Sequence, residues 1–383
     1  MGRLAFLGDN KQINIWHSES RALRQLTYPL FEGERAPCLW PTWSKDGEWI
    51  AYFQPLQQDV PARLCIAQVD GLDMAVLAEF HDRQPIYMHW SPTGTHLAVV
   101  EQSPEGLELV VYPINGSGSI PIDDGAPIFF QWLPDGTGLV AHVVHPIRQT
   151  SRVQFYSLED SNTDWVISED SGGFCAPVFW NEKLLFAEQL YGKTHLMAFC
   201  LKTEEKDTLC VLDGVLSIQP RPNHSQIAIG MTGAQLGTQR GIRLLDTVTG
   251  RLDIITEQKD QRLAWQSMFW TPDGSKLLMS AGNRSQRWLE WQFWDDDGEH
   301  IINQFIPTQE QFFFLHFFEQ FAHSHQIIST DSTHFYFSGY EAPNQRVDMP
   351  ARPWIFKGTL EDGADFEAVE HGLFPTVYPK IPT

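Results

Sequence analysis

An all-β chain, with four-stranded antiparallel sheets set as the blades of a propeller, is the fold class this sequence predicts. Three features predict it: a phrase that recurs, the period at which it recurs, and chain ends that complement each other. The phrase is an aromatic anchor, a tight turn and an apolar run. It reads "WSKDGEWIAYF" from Trp43, "WSPTGTHLAVV" from Trp90, "WLPDGTGLVAH" from Trp132 and "WTPDGSKLLMS" from Trp270. Weaker copies open at Trp180 ("WNEKLLFAE"), Pro220 ("PRPNHSQIAIG") and Ile328 ("ISTDSTHFYFSG"), where Asp331 and Ser332 replace the turn Asp and Gly. The anchors at 43, 90, 132, 180, 220, 270 and 328 lie 40 to 58 residues apart, a period that belongs to propeller blades.

Each element of the repeat follows from its residues. An apolar stretch ending at the anchor, a P-D-G or D-G turn and a second apolar run read as two antiparallel strands, with Gly supplying the positive φ. A third run ends in polar turn residues, as in "LCIAQVDG", "GIRLLDTVTG" and "WLEWQFWDDDG", and a short fourth run such as "AVLAEF" or "LDIITE" follows. Runs this apolar suit sheets covered on both faces. Residues 4 to 28 supply a second, third and fourth strand without an anchor strand, whereas "LFPTVYP" near the C-terminus is an anchor strand with nothing after it. Pairing the two ends removes two open sheet edges. The expectation is one domain over residues 1–383, eight blades closed by a composite blade from 1–28 and 373–383. Seven blades would result if the copy at Trp180 or Pro220 were an insertion. A helical fold fits poorly, because the apolar runs are short and punctuated by 28 Gly and 24 Pro.

Composition narrows the function. Of 383 residues, 42% are hydrophobic and 13% aromatic, ample for a core. Lys plus Arg number 27 against 48 Asp plus Glu, and a formal charge of −21 argues against a nucleic-acid partner. Cys38, Cys65, Cys175, Cys200 and Cys210 are scattered, without a C-x-x-C pair, and read as buried reduced thiols. The start "MGRLAFLGDN" does not read as a signal peptide and no stretch is long enough for a membrane span, so a cytoplasmic location without membrane insertion is expected.

The phrases "PTWSKDGEWIAYF", "MHWSPTGTHLAVV" and "MFWTPDGSKLLMS" resemble the WD40-like repeats of TolB-type propellers, which also form the propeller domains of tricorn protease and dipeptidyl peptidase IV. The resemblance spans nearly the whole chain and implies the fold. Its matching residues are structural, the Trp packing between blades and the P-D-G making the turn, so it names no function. The G-x-S-x-G nucleophile pentapeptide of the related peptidases does not occur in this chain; "NGSGSI" at 115 to 120 has the wrong spacing.

Three groups of residues are candidates for function. His323 and His325 in "FAHSHQ" alternate by two; on an innermost strand both imidazoles would point the same way, and His142, His145 or His316 could add a third metal ligand. The resemblance gives this some support, since TolB-like propellers include metal-dependent polyuronate lyases. Against it stands chance proximity among 14 histidines, and no cofactor is expected. The second group is arginine. Turns between first and second strands, and between third and fourth, collect carboxylates such as Asp46, Asp273 and Asp295 on one face. The opposite face carries Arg148, Arg240, Arg284, Arg287 and Arg346, suited to bidentate contacts with carboxylates; pairing with neighbouring acids would explain them equally well. The third is "QEQFFFLHFFEQFAHSHQ" at 309 to 326, where Phe312, Phe313, Phe314, Phe317, Phe318 and Phe321 fall in a connection between a fourth strand and the next anchor. It either tucks into the core or channel mouth or offers an aromatic surface. The expected function is a non-catalytic binding platform presenting the arginine face and the Phe-rich segment to a protein or peptide partner. The alternative is a metal-dependent lyase or hydrolase acting on an acidic carbohydrate.

Overall fold

The structure is a computed structural model that describes residues 2–29, 37–57, 60–71, 73–145, 150–171, 175–232, 239–256, 264–282, 288–340 and 352–379, the side chains at 232, 239 and 240 apart. It is an all-β propeller. The strands Leu39–Trp43, Trp49–Gln54, Ala62–Gln68 and Met74–Phe80 form one antiparallel sheet in chain order. Further four-stranded sheets open with Gln84–Trp90, Ile128–Trp132, Val178–Trp180 and Val215–Pro220. The weak copies at Trp180 and Pro220 therefore end the first strands of sheets of their own.

The anchor tryptophans join neighbouring sheets by a specific bond. Trp43 Nε1 donates to the Thr376 carbonyl at 3.0 Å, Trp90 Nε1 to Thr42 at 3.1 Å, Trp132 Nε1 to His89 at 3.1 Å and Trp270 Nε1 to Gln219 at 2.9 Å. Each acceptor lies on the first strand of another sheet, so the indole satisfies its buried N–H while fastening two sheets near the axis. The turn after each anchor is fixed by its Asp. Asp46 accepts from the Glu48 N–H, Asp135 from Thr137, Asp273 from Ser275 and Asp331 from Thr333. Gly47 and Gly274 sit at φ of 69° and 73° in these turns, and Asn223 and Ser332 take the same left-handed conformation at 60°. That is why the weak copies still turn.

Closure joins the ends. Leu373–Val377 pairs antiparallel with Arg3–Leu7, whose sheet continues through Ile13–His17 and Leu23–Gln25. The last repeat departs from expectation. His334–Tyr340, Trp354–Thr359 and Glu367–His371 are three strands, and the first of them bonds Gly298–Pro307 through Ile306↔Tyr340 and Pro307↔Gly339. They thereby share one seven-stranded sheet with the strands that begin at Ala264–Trp270. The strand expected at Ile328 is reduced to a single bridge with Phe335.

The five cysteines are free. Cys38, Cys65 and Cys175 are buried, but Cys200 and Cys210, expected to be buried as well, are partly exposed on outer parts of their sheet. No helix among the described residues is long and apolar enough to cross a membrane.

Candidate functional site: the axis and its helical hairpin

The Phe-rich segment, read as a connection that tucks in or stays at the surface, folds into two helices, α1 (Gln309–His316) and α2 (Phe318–Ser324). Thr308 caps α1, its Oγ1 accepting from the Gln311 N–H at 3.1 Å. "TQEQ" at 308 to 311 is thus a capping-box sequence, and Gln311, Phe314, Leu315, Phe318 and Phe321 recur at helical spacing. Both signals stand in the sequence; the density of phenylalanine obscures them.

The hairpin touches the first strands of the sheets all around the ring. Thr42 Oγ1 donates to the Ser324 carbonyl at 2.6 Å, and Tyr87 Oη donates to the Gln320 carbonyl at 2.9 Å. Gln320 accepts from the Phe130 N–H at 3.3 Å and returns a bond to its carbonyl. Gln311 Oε1 accepts from the Ser338 N–H at 2.8 Å. Phe314 stacks on Phe269 at 5.7 Å, Phe318 meets Trp265 at 6.0 Å, and Phe321 stacks on Trp40 at 4.7 Å. Trp40 in turn meets Phe374 at 3.9 Å. One short hairpin can reach so many inner strands only from the middle of the ring, so α1 and α2 fill the axial channel.

Its two ends differ. α1 starts where Pro307 pairs with Gly339, on the face opposite the first-to-second turns, and leaves Phe312 and Phe313 47% and 40% exposed. Phe317 is half-buried beside them, 4.7 Å from Phe313. Phe314, Phe318 and Phe321 are buried.

The other end is polar. In the strand Gln84–Trp90, Tyr87 and His89 alternate onto the axis side, as do Ser217 and Gln219 in Val215–Pro220. His89 bonds the backbone of His323, and burial together with the nearby His323 and His325 pushes it down to about 3. Burial pushes His325 to about 3 and His323 to about 4, so all three imidazoles are neutral near pH 7. Glu319 is raised by burial to about 8, against bonds from the Ala176 N–H and the Ser217 hydroxyl. His89, Glu319 and His323 keep part of their surface accessible although protein encloses them, so they border internal space. A cavity of about 320 Å³ opens there on the face of the first-to-second turns, lined by Trp180, Asn181, Gln219, Phe269, His323 and His325 among others.

The expected metal geometry does not form. His323 lies in α2 and His325 caps its C-terminus, so the two do not alternate along a strand. His142 is tied instead to the Cys175 carbonyl and Ser151, both at 3.0 Å, and His145 lies 3.8 Å from Asp123. Among the described residues no group of three His, Cys, Asp or Glu could hold a metal ion. Of the arginine set, Arg148, Arg284, Arg287 and Arg346 lie outside the described residues, as does the side chain of Arg240. Described arginines from the same face pair with acids: Arg83 with Glu101 and Glu108, and Arg352 with Asp9 at 3.2 Å.

Comparison with known proteins bears on the fold. No protein-family model matches the chain. A 150-residue stretch, 37% of the chain, is 25% identical to one of the subunits of eukaryotic translation initiation factor 3 from Xenopus laevis and covers 21% of that protein's length. Among solved structures, a prolyl endopeptidase aligns with a TM-score of 0.59 at 12% identity, over 90% of this chain and 50% of its own. Oligogalacturonate lyase in complex with manganese aligns at 0.53 and 13% identity, over 86% of each chain. The β-propeller domain of the trilobed protease of Pyrococcus furiosus aligns at 0.50 and 10%, over 88% of this chain and 98% of that one. The chain has the TolB-like β-propeller fold. At these identities the likeness concerns the fold alone, and the chain spans about half of the endopeptidase.

Proposed function

We propose that this chain is a non-catalytic binding platform whose protein or peptide partner docks at the axial mouth around Phe312, Phe313 and Phe317. The observation that carries the reading is the division of labour in one short segment. Phe314, Phe318 and Phe321 fill the axis, while Phe312 and Phe313, adjacent to them in sequence, stay in water. Burying a phenylalanine is worth about 1.5 to 3 kcal/mol, and exposed aromatic side chains grouped at a rigid mouth are typical interface anchors. Arg148, Arg240, Arg284, Arg287 and Arg346 flank the mouth in this reading and would meet carboxylates of the partner. The charge of −21 supports a partner other than nucleic acid. The curated relative is by its name one component of a larger factor, which is in keeping with a propeller used for assembly.

The test is a double variant, Phe312→Ser with Phe313→Ser, used as bait beside the wild type in extracts of the native host. Unfolding free energy should change by less than about 1 kcal/mol, since both rings are exposed. A protein retained stoichiometrically by the wild type should be lost from the variant. Metal-dependent cleavage of oligogalacturonate by the purified chain, or a retained set unaffected by the double change, would overturn the reading in favour of an enzyme acting on an acidic carbohydrate.

A further inference from the structure

The cavity at the opposite end of the hairpin is independent of that mouth, and its polar atoms are unmatched. Gln219 Nε2, His323 Nε2 and His325 Nε2 have no hydrogen-bond partner among the described residues. Gln219 and His325 are only 7% and 4% exposed. The alternation that turns Ser217 toward Glu319 turns Gln219 to the same axis side. A buried donor or acceptor left unpaired costs about 1 to 3 kcal/mol. Three of them around one space indicate an occupant that bonds to them.

The surroundings restrict what that occupant can be. The cation in the wall is already engaged: Arg221 Nε donates to the Gly274 carbonyl at 2.6 Å and Nη1 to Gln226 Oε1 at 2.7 Å, with Asp296 at 3.4 Å. Its guanidinium also lies over the Trp270 ring at 5.1 Å. The imidazoles are uncharged, so a carboxylate would find no counter-charge. Val178, Phe179, Trp180, Phe269, Ile327 and Ile328 supply apolar lining. A polyol, with hydroxyls around its whole rim, would leave several of them facing carbon. His325 Nδ1 already bonds Ser324 Oγ at 2.8 Å, and either tautomer leaves Nε2 one bond short, as donor or as acceptor. A primary amide can serve both.

We propose that this cavity binds a small, uncharged, planar molecule of the carboxamide-bearing heteroaromatic class, its amide edge toward Gln219, His323 and His325 and its ring against Trp180. A volume of about 320 Å³ accommodates one such ring system.

Nicotinamide is the probe, with nicotinate as its charged counterpart and galacturonate as the polyol acid, each followed by ligand-observed NMR against the full chain. Nicotinamide should bind saturably with Kd below about 1 mM, and the two acids at least about tenfold more weakly. Gln219→Leu should weaken nicotinamide about tenfold while leaving melting unchanged or raised, because it removes an unpaired buried amide. Should that variant fail to fold, His325→Phe serves the same purpose. Three results would overturn the proposal: no saturable signal up to about 10 mM nicotinamide, which would mean a merely hydrated cavity; tighter binding of either acid; or wild-type affinity in a folded Gln219→Leu or His325→Phe protein.

Discussion

Two consecutive repeats treat the axis in opposite ways. In the first, Ala264–Trp270 pairs along its length with Leu277–Gly282, and Trp270 fastens it to Gln219 of the preceding sheet. In the next, Ile328 contributes a single bridge to Phe335, and the residues before it build a helical hairpin. One repeat lines the channel; the other fills it. A blade can give up most of its inner strand when that strand's role, covering the inner edge of a sheet with apolar side chains, is taken over by helices whose backbone bonds are internal.

The largest expected effect separates the two kinds of phenylalanine in the hairpin. Phe318→Ala or Phe321→Ala should cost about 3 to 5 kcal/mol in denaturant unfolding, because each leaves a cavity among rings that cannot collapse around it. Phe312→Ala should change it by less than about 1 kcal/mol. Equal and small effects at all three positions would mean that the hairpin does not hold the axis together.

A smaller, pH-dependent effect sharpens the contrast between the apolar and polar ends. Glu319, raised to about 8 from its ordinary 4.5, keeps a proton in the folded state that the unfolded chain has released. Its stabilising contribution is therefore present below about 4.5 and lost as pH rises through about 8. The buried histidines run the other way. Their contribution is complete above about 6.5 and is lost as pH falls toward about 4, since the unfolded chain takes up protons that the folded one refuses. Glu319→Gln, which cannot ionise, should gain on the wild type between pH of about 5 and about 8, by on the order of 1 to 3 kcal/mol at the upper end. A gain independent of pH, or none, would show that Glu319 ionises freely in the folded protein.

The repeats are legible because their chemistry is local. Trp90 and its turn can be read from a dozen residues, and Ser332 at φ 60° shows how a copy without glycine still turns. Even the shared role of the anchors, packing between sheets, follows from the residue type, although the indole bond to a neighbouring sheet's carbonyl does not. The axis is less legible because its partners are distant in sequence: Gln320 bonds Phe130, Thr42 bonds Ser324, and Trp40 stacks on Phe321. No window contains both members of any such pair. The helices themselves are readable from the capping box at Thr308 and the spacing of Phe314, Phe318 and Phe321. His323 and His325 illustrate the error that follows when periodicity is misassigned, since a strand would have aligned two imidazoles that a helix end separates.

The central claim is that α1 and α2 are an integral plug of the axis and not a lid over an open channel. Native-state hydrogen exchange tests it most directly, because it measures the free energy at which each segment opens. An integral plug predicts that the amides from Phe314 to Phe321 exchange as slowly as those of Leu277–Gly282, requiring global unfolding. Exchange of the hairpin well before the flanking strands would contradict it, showing that the channel opens in the native protein and restoring a route for substrate through the axis.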